Sequence, residues 1–140
     1  MLRFEGLKQE HWGDIPDEAR PRWCEDTQGI VALNHRDEVV AACILDSWSF
    51  NSCQIHIWID NPFVLKHGFQ EAVFNHVFDT CERSLIVGVT PADNTKALKF
   101  IKHMGFKEVA RIKDGYKDGI DFVITEFRKD AYPLAVASGG

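Results

Sequence analysis

The stretch from Ser84 to Phe106 constrains the fold more than any other part of the chain, because a short apolar run passes within a few residues into an amphipathic helix. The run, Leu85-Ile86-Val87-Gly88-Val89, predicts a strand from Ser84 to Thr90 buried on both faces. The helix begins near Asn94, a favoured N-cap residue. Its Ala97, Phe100, Ile101 and Met104 fall at i, i+3, i+4 and i+7, while Lys96, Lys99 and Lys102 lie off that stripe. Gly105 ends it as a C-cap residue does. A buried strand that feeds such a helix needs a sheet around it, so the remaining segments are read for strands.

Leu2 to Glu5 predicts a first short strand, and Ile30 to Leu33 with Val39 to Leu45 predicts an antiparallel hairpin across His35-Arg36-Asp37-Glu38. Cys53 to Asp60 alternates most clearly. Ile55, Ile57 and Ile59 share a core face, and Gln54, His56, Trp58 and Asp60 share a polar one. The region from Lys8 to Trp23, interrupted by Pro16 and Pro21, predicts one or two short helices. Asn61-Pro62 breaks the central strand, and a helix follows from Gly68 to Glu82 with Phe69, Ala72, Val73, His76 and Val77 turned inward. Phe106 to Ile112 and Ile120 to Phe127 predict two closing strands across a turn from Gly115 to Gly119. The fold class is α/β (α+β), a single mixed, mostly antiparallel sheet flanked by helices. One domain spans 1–130, and the small residues of a tail at 131–140 predict mobility.

A chain of 140 residues with 45% hydrophobic content buries a core without staples. Its net charge of -5 argues against nucleic acid as a partner, since phosphate-backbone affinity rests on excess Lys and Arg. Locally the balance reverses. Lys96, Lys99, Lys102, Lys107, Arg111, Lys113 and Lys117 face only Glu108 and Asp114, which suits a compact anionic ligand or, equally, a solvated face. Cys24, Cys43, Cys53 and Cys81 form no CxxC pair and read as reduced thiols, with no metal site. No apolar run approaches the ~20 residues of a membrane span, and nothing at the N-terminus reads as a signal, so a cytoplasmic location is expected.

The segment Asn94-Thr95-Lys96-Ala97-Leu98-Lys99-Phe100-Ile101-Lys102-His103-Met104-Gly105-Phe106 resembles the signature of the GNAT acetyltransferases, and the order of elements extends the resemblance over nearly the whole chain. The resemblance implies an acyl-CoA N-acyltransferase fold in which the strands Cys53–Asp60 and Ser84–Thr90 splay apart. Acetyl-CoA (coenzyme A) then lies in the opening beside Ile57, Trp58 and Ile59, with Asn94, Ala97 and Phe100 on the facing helix. Its pyrophosphate would sit on the loop Lys66, His67, Gly68, Phe69 and Gln70, at a helix N-terminus. Leu65 and Gln70 depart there from the family's Gln/Arg-x-x-Gly-x-Gly/Ala pattern, and Lys66 and His67 are the cations that would replace its Arg.

Ile101 stands where many such enzymes carry a proton-donating Tyr. His56 and Asp60, on the polar face of the central strand, are the candidate bases, His56 having the better intrinsic pKa. Trp58 lines an acceptor pocket or packs under the first helices. Two readings follow. One is acetyl-CoA-dependent acetylation of a primary amine on a small molecule or a protein, with a homodimer admitted and neither nucleic acid nor membrane as partner. The other is a non-catalytic GNAT-like protein, similar to small ones of tailed bacteriophages in virion-associated or host-interaction roles.

Overall fold

The computed structural model describes residues 2–66, the Lys66 side chain excepted, and 68–132. Seven strands form one sheet: β1 (Arg3–Gly6), β2 (Gln28–Leu33), β3 (Val39–Asp46), β4 (Ser52–Ile59), β5 (Leu85–Pro91), β6 (Lys107–Lys117) and β7 (Ile120–Arg128). Their spatial order is β1-β2-β3-β4-β5-β7-β6. Every neighbouring pair is antiparallel except β4 and β5, which run parallel. A parallel pair requires a crossover connection, supplied here by the helical stretch from Pro62 to Thr80. The mixed, mostly antiparallel architecture is thus the one expected.

The crossover comprises a 3-10 turn (Pro62–Lys66), α1 (Phe69–Phe74) and a π-helical continuation (Asn75–Thr80). The expected single α-helix therefore widens halfway along. Phe74 and Phe78, outside the predicted inward stripe, are fully buried, whereas His76 is only half-buried, with Nε2 2.8 Å from Gln28 Oε1. Phe74 stacks on Phe127 with centroids 4.3 Å apart, joining helix to sheet through aromatic faces. Tyr132 packs its ring edge on Phe74, so the first residues of the expected tail belong to the core; 133–140 lie outside the described residues.

Both sheet faces are covered over β2 to β4. The larger core gathers Cys53, Ile55, Ile59, Phe69, Val73, Phe74 and Ile101 beneath α1 and α2 (Thr95–His103). A smaller one gathers Ile15, Val31, Leu33, Val39, Ala42 and Ile44, with Trp12 and Trp58 against it. The N-terminal cover is not α-helical. Pro16 and Pro21 allow only the 3-10 turns Gln9–Asp14 and Asp17–Ala19.

Two strand expectations are corrected. β5 alternates half-buried and buried residues instead of being buried on both faces, because the smaller core stops short of it. β6 runs on through Gly115 to Lys117, and the turn is the two-residue Asp118-Gly119, with Gly119 at φ 81°. Asp-Gly is a strong short hairpin signal, and it overrides the broader glycine-bounded turn read from sequence.

Candidate active site

The parallel ladder between β4 and β5 stops early. Its rungs are Ser52↔Leu85, Cys53↔Ile86, Gln54↔Val87 and Ile55↔Gly88, and beyond them the strands continue unpaired with each other. On its other edge β4 remains paired to β3 as far as Ala41↔Ile59. The Asp60 N–H donates to the Val40 carbonyl at 2.9 Å, which fixes the alternation: even-numbered residues of β4 turn their backbone groups toward β3. The N–H and C=O of Ile57 and Ile59 consequently face the side that β5 has left. On β5, the Ala92 N–H donates to the Asp121 carbonyl at 2.8 Å, so the even residues face β7 and Val89 turns toward β4.

A cleft of about 270 Å³ occupies this fork, bordered by Ile57, Trp58 and Ile59 on β4, by Asn94, Lys96, Ala97 and Phe100 at α2, and by Glu18 and Ala19 from the N-terminal cover. A neighbouring groove of about 410 Å³ runs between the 3-10 turn and α2, lined by Pro62, Leu65, Lys96, Lys99, Phe100 and His103. Lys96 and Phe100 belong to both, so the two spaces adjoin. Six of the eleven residues expected to contact a cofactor thus line one cleft: Ile57, Trp58, Ile59, Asn94, Ala97 and Phe100.

Asn94 caps α2, its Oδ1 accepting the Ala97 N–H at 3.2 Å. One first-turn amide is thereby used, and the dipole's positive end still opens onto the cleft. The lysines of α2 divide by position, with Lys96 and Lys99 lining the groove.

The α1 end differs from the expectation in detail. Gly68 is the N-cap, at φ 89°, and no side chain caps the helix. Phe69 is fully buried against the Phe4 ring at 5.7 Å, so only its backbone is available to a ligand. Gln70 is 5% exposed, and its Oε1 has no hydrogen-bond partner among the described residues. His67 and the Lys66 side chain, the expected replacements for the family's Arg, lie outside the described residues.

The two candidate bases are not brought together. Asp60 is exposed just past the end of β4. His56 Nε2 lies 2.8 Å from Asp46 Oδ1, on a β3 residue two positions along the same face, and neither residue lines the cleft. Ile101 is 2% exposed and points into the core beside Gly88 instead of into the fork. Asp46 was missed in the sequence, whereas Lys96 belongs to the basic stretch read there as suited to an anionic ligand. Glu18 reaches the cleft only because the N-terminal cover folds back over β4, a long-range relation no local spacing reveals.

Among the described residues no group of three or more His, Cys, Asp or Glu side chains is placed to hold a metal ion. No helix of the described residues is long and apolar enough to cross a membrane.

No protein-family model matches the sequence, and no curated protein does either. Solved structures do match. Mutant forms of the spermidine/spermine N-acetyltransferase SpeG from Vibrio cholerae superpose with a TM-score of 0.77 at 11% identity, over 96% of this chain and 98% of theirs. SpeG in complex with manganese ions gives 0.74 at 11% identity, over 95% of each chain. A further SpeG mutant gives 0.74 at 14% identity, over 94% of this chain and 96% of that one. At such identity the likeness speaks for architecture, and with the strand order and the β4–β5 fork it shows that this chain has the GNAT acetyltransferase fold.

Proposed function

We propose that the protein binds acetyl-CoA in the β4–β5 fork and transfers the acetyl group to a primary amine, giving an amide and a free thiol. The observation that carries this is the end of the ladder at Ile55↔Gly88, which turns the backbone N–H and C=O groups of Ile57 and Ile59 toward a cleft roofed by Asn94, Ala97 and Phe100. An extended amide-bearing ligand can pair there as an added strand.

The residues present fit such a ligand. The first turn of α1 carries no side-chain cap, and amides at a helix start favour an anionic group. Lys96 and Lys99 supply the cationic lining that a phosphate-bearing molecule requires. Acetyl-CoA supplies an activated thioester when bound, and a thiolate leaves without an acid more readily than an amine does. Ile101 is therefore compatible with turnover. Holding amine and thioester side by side supplies much of the rate.

The acceptor is a cationic amine in this reading. Among the described residues Glu18 is the carboxylate that lines the fork, and Trp58 lines it too; a carboxylate and an aromatic ring together suit an ammonium group. Spermidine is a rational first probe, being the acceptor in the names of the structural neighbours.

Titration calorimetry with acetyl-CoA, followed by thiol release with a panel of amines including spermidine, tests the proposal. Parent protein is expected to bind, Gly68→Asp to lose binding through charge repulsion at the α1 start, and Gly68→Ala to separate that loss from backbone strain. Absence of binding by the parent refutes the reading. Binding without turnover over the whole panel favours the non-catalytic alternative.

A further inference from the structure

His56 is the first residue of β4 beyond the last rung shared with β5; it does not itself border the cleft, but it is the same-face neighbour of Trp58, which does. Its Nε2 is 2.8 Å from Asp46 Oδ1. Asp46 follows from β3 pairing: Ile44 is opposite His56 and Asp46 is opposite Gln54, which makes Asp46 the diagonal neighbour on the same face. The Asp46 side chain is 11% exposed and that of His56 28% exposed, so the carboxylate is sequestered while part of the ring remains open.

The chemistry of this pair fixes a proton. An ionised carboxylate only accepts hydrogen bonds, so the short contact requires the hydrogen on Nε2. In the neutral ring, Nδ1 then carries the lone pair, and it has no hydrogen-bond partner among the described residues. We propose that Asp46 is a positioning residue that holds His56 in the Nε2–H tautomer, with Nδ1 presented as the proton acceptor for the incoming amine. This rests on the acetyl-transfer reading above.

The proton balance is simple. The acceptor's ammonium gives one proton to Nδ1, the nitrogen lone pair becomes free to attack, and the imidazolium so formed is stabilised by the Asp46 carboxylate at Nε2. As the C–N bond forms and the C–S bond breaks, a second proton of the amine nitrogen passes to the departing thiolate, giving the free thiol, and the proton on Nδ1 passes to solvent, restoring the neutral ring. Asp60 is exposed and has no such orienting partner among the described residues, which is why the role falls to His56.

Nitrogen NMR of the parent protein tests the tautomer without any substitution, and is expected to show His56 protonated at Nε2 in its neutral form. With turnover established, His56→Gln is expected to lower kcat by roughly 10²–10⁴-fold, and Asp46→Asn by at least about 10-fold, with the KM for acetyl-CoA unchanged in both. The double variant is expected to be no slower than His56→Gln alone, because the two act as one unit. A neutral Nδ1–H tautomer in the parent overturns the proposal, as does an unchanged kcat in a folded Asp46→Asn or a multiplicative double variant. A parent that binds acetyl-CoA yet acetylates no amine overturns it too, while the cofactor site stands. A parent that does not bind acetyl-CoA overturns the underlying reading itself.

Discussion

Gly88 on β5 lies opposite Thr125 on β7 at such close range that a Cβ added to Gly88 would stand 2.5 Å from Thr125 Oγ1. The same glycine forms the last rung with Ile55, so the spot where the sheet splits is also the spot where its core has no spare room. Thr125 Oγ1 is buried and has no hydrogen-bond partner among the described residues. Gly88→Ala is expected to lower stability by about 1–3 kcal/mol through overpacking. Thr125→Val removes the orphaned hydroxyl at nearly constant shape and should leave stability unchanged or raise it by ~1 kcal/mol. Denaturant midpoints at constant slope decide both, and a Gly88→Ala protein as stable as the parent would show that β7 yields easily.

Ile101 invites the substitution that would restore a tyrosine hydroxyl, and its setting argues against success. The side chain is 2% exposed in the larger core, next to Gly88. Ile101→Tyr must therefore push a bigger ring and a polar hydroxyl into close packing, at a cost of roughly 1–3 kcal/mol. We expect a lower melting temperature and no gain in thiol release from acetyl-CoA. A faster variant would mean that the introduced ring turns out into the fork.

What the sequence revealed follows from the range of the interactions involved. The α2 helix was legible because its cap, stripe and terminal glycine are all local, and Asn94, Ala97 and Phe100 were placed at the cleft from the family signature alone. Ile57 and Ile59 were legible through strand alternation, and for Trp58 both readings hold, since it lines the cleft and packs against the smaller core that residues of 7–19 help to cover. Asp46 escaped notice because its meaning depends on β3–β4 register, which no single strand encodes. Asp118-Gly119 was readable and was outweighed by the flanking Gly115.

Asn94 carries two separable roles. Its Oδ1 accepts the Ala97 N–H, so Asn94→Ala is expected to cost about 1 kcal/mol of stability. It also borders the fork, so affinity for acetyl-CoA should fall when measured well below the melting temperature, where every molecule is folded. Asn94→Asp retains the cap while adding negative charge beside the cleft, and should keep stability but weaken binding. Equal affinity in all three proteins would reduce Asn94 to a helix cap.

The buried thiols make stability fall in alkali, with a sign that follows from their burial. Cys53 is pushed up from its ordinary value of 9.0 to about 12, chiefly by desolvation, and the fully buried Cys43 is raised as well. Below pH 9 both thiols keep their protons whether the chain is folded or not, and the folded state is not penalised. Between about pH 9 and 12 the unfolded chain alone releases them, so stability is lost as pH rises, with a limiting slope near 1.4 kcal/mol per pH unit for each thiol. Lysines and tyrosines titrate in the same range, so the comparison needed is between parent and Cys53→Ala. The variant loses a constant amount at every pH through the cavity it leaves, but its stability should decline less steeply above pH 9, so that the two curves converge. Curves that stay parallel from pH 8 to 11 would show that Cys53 ionises in the folded protein as readily as in the unfolded chain.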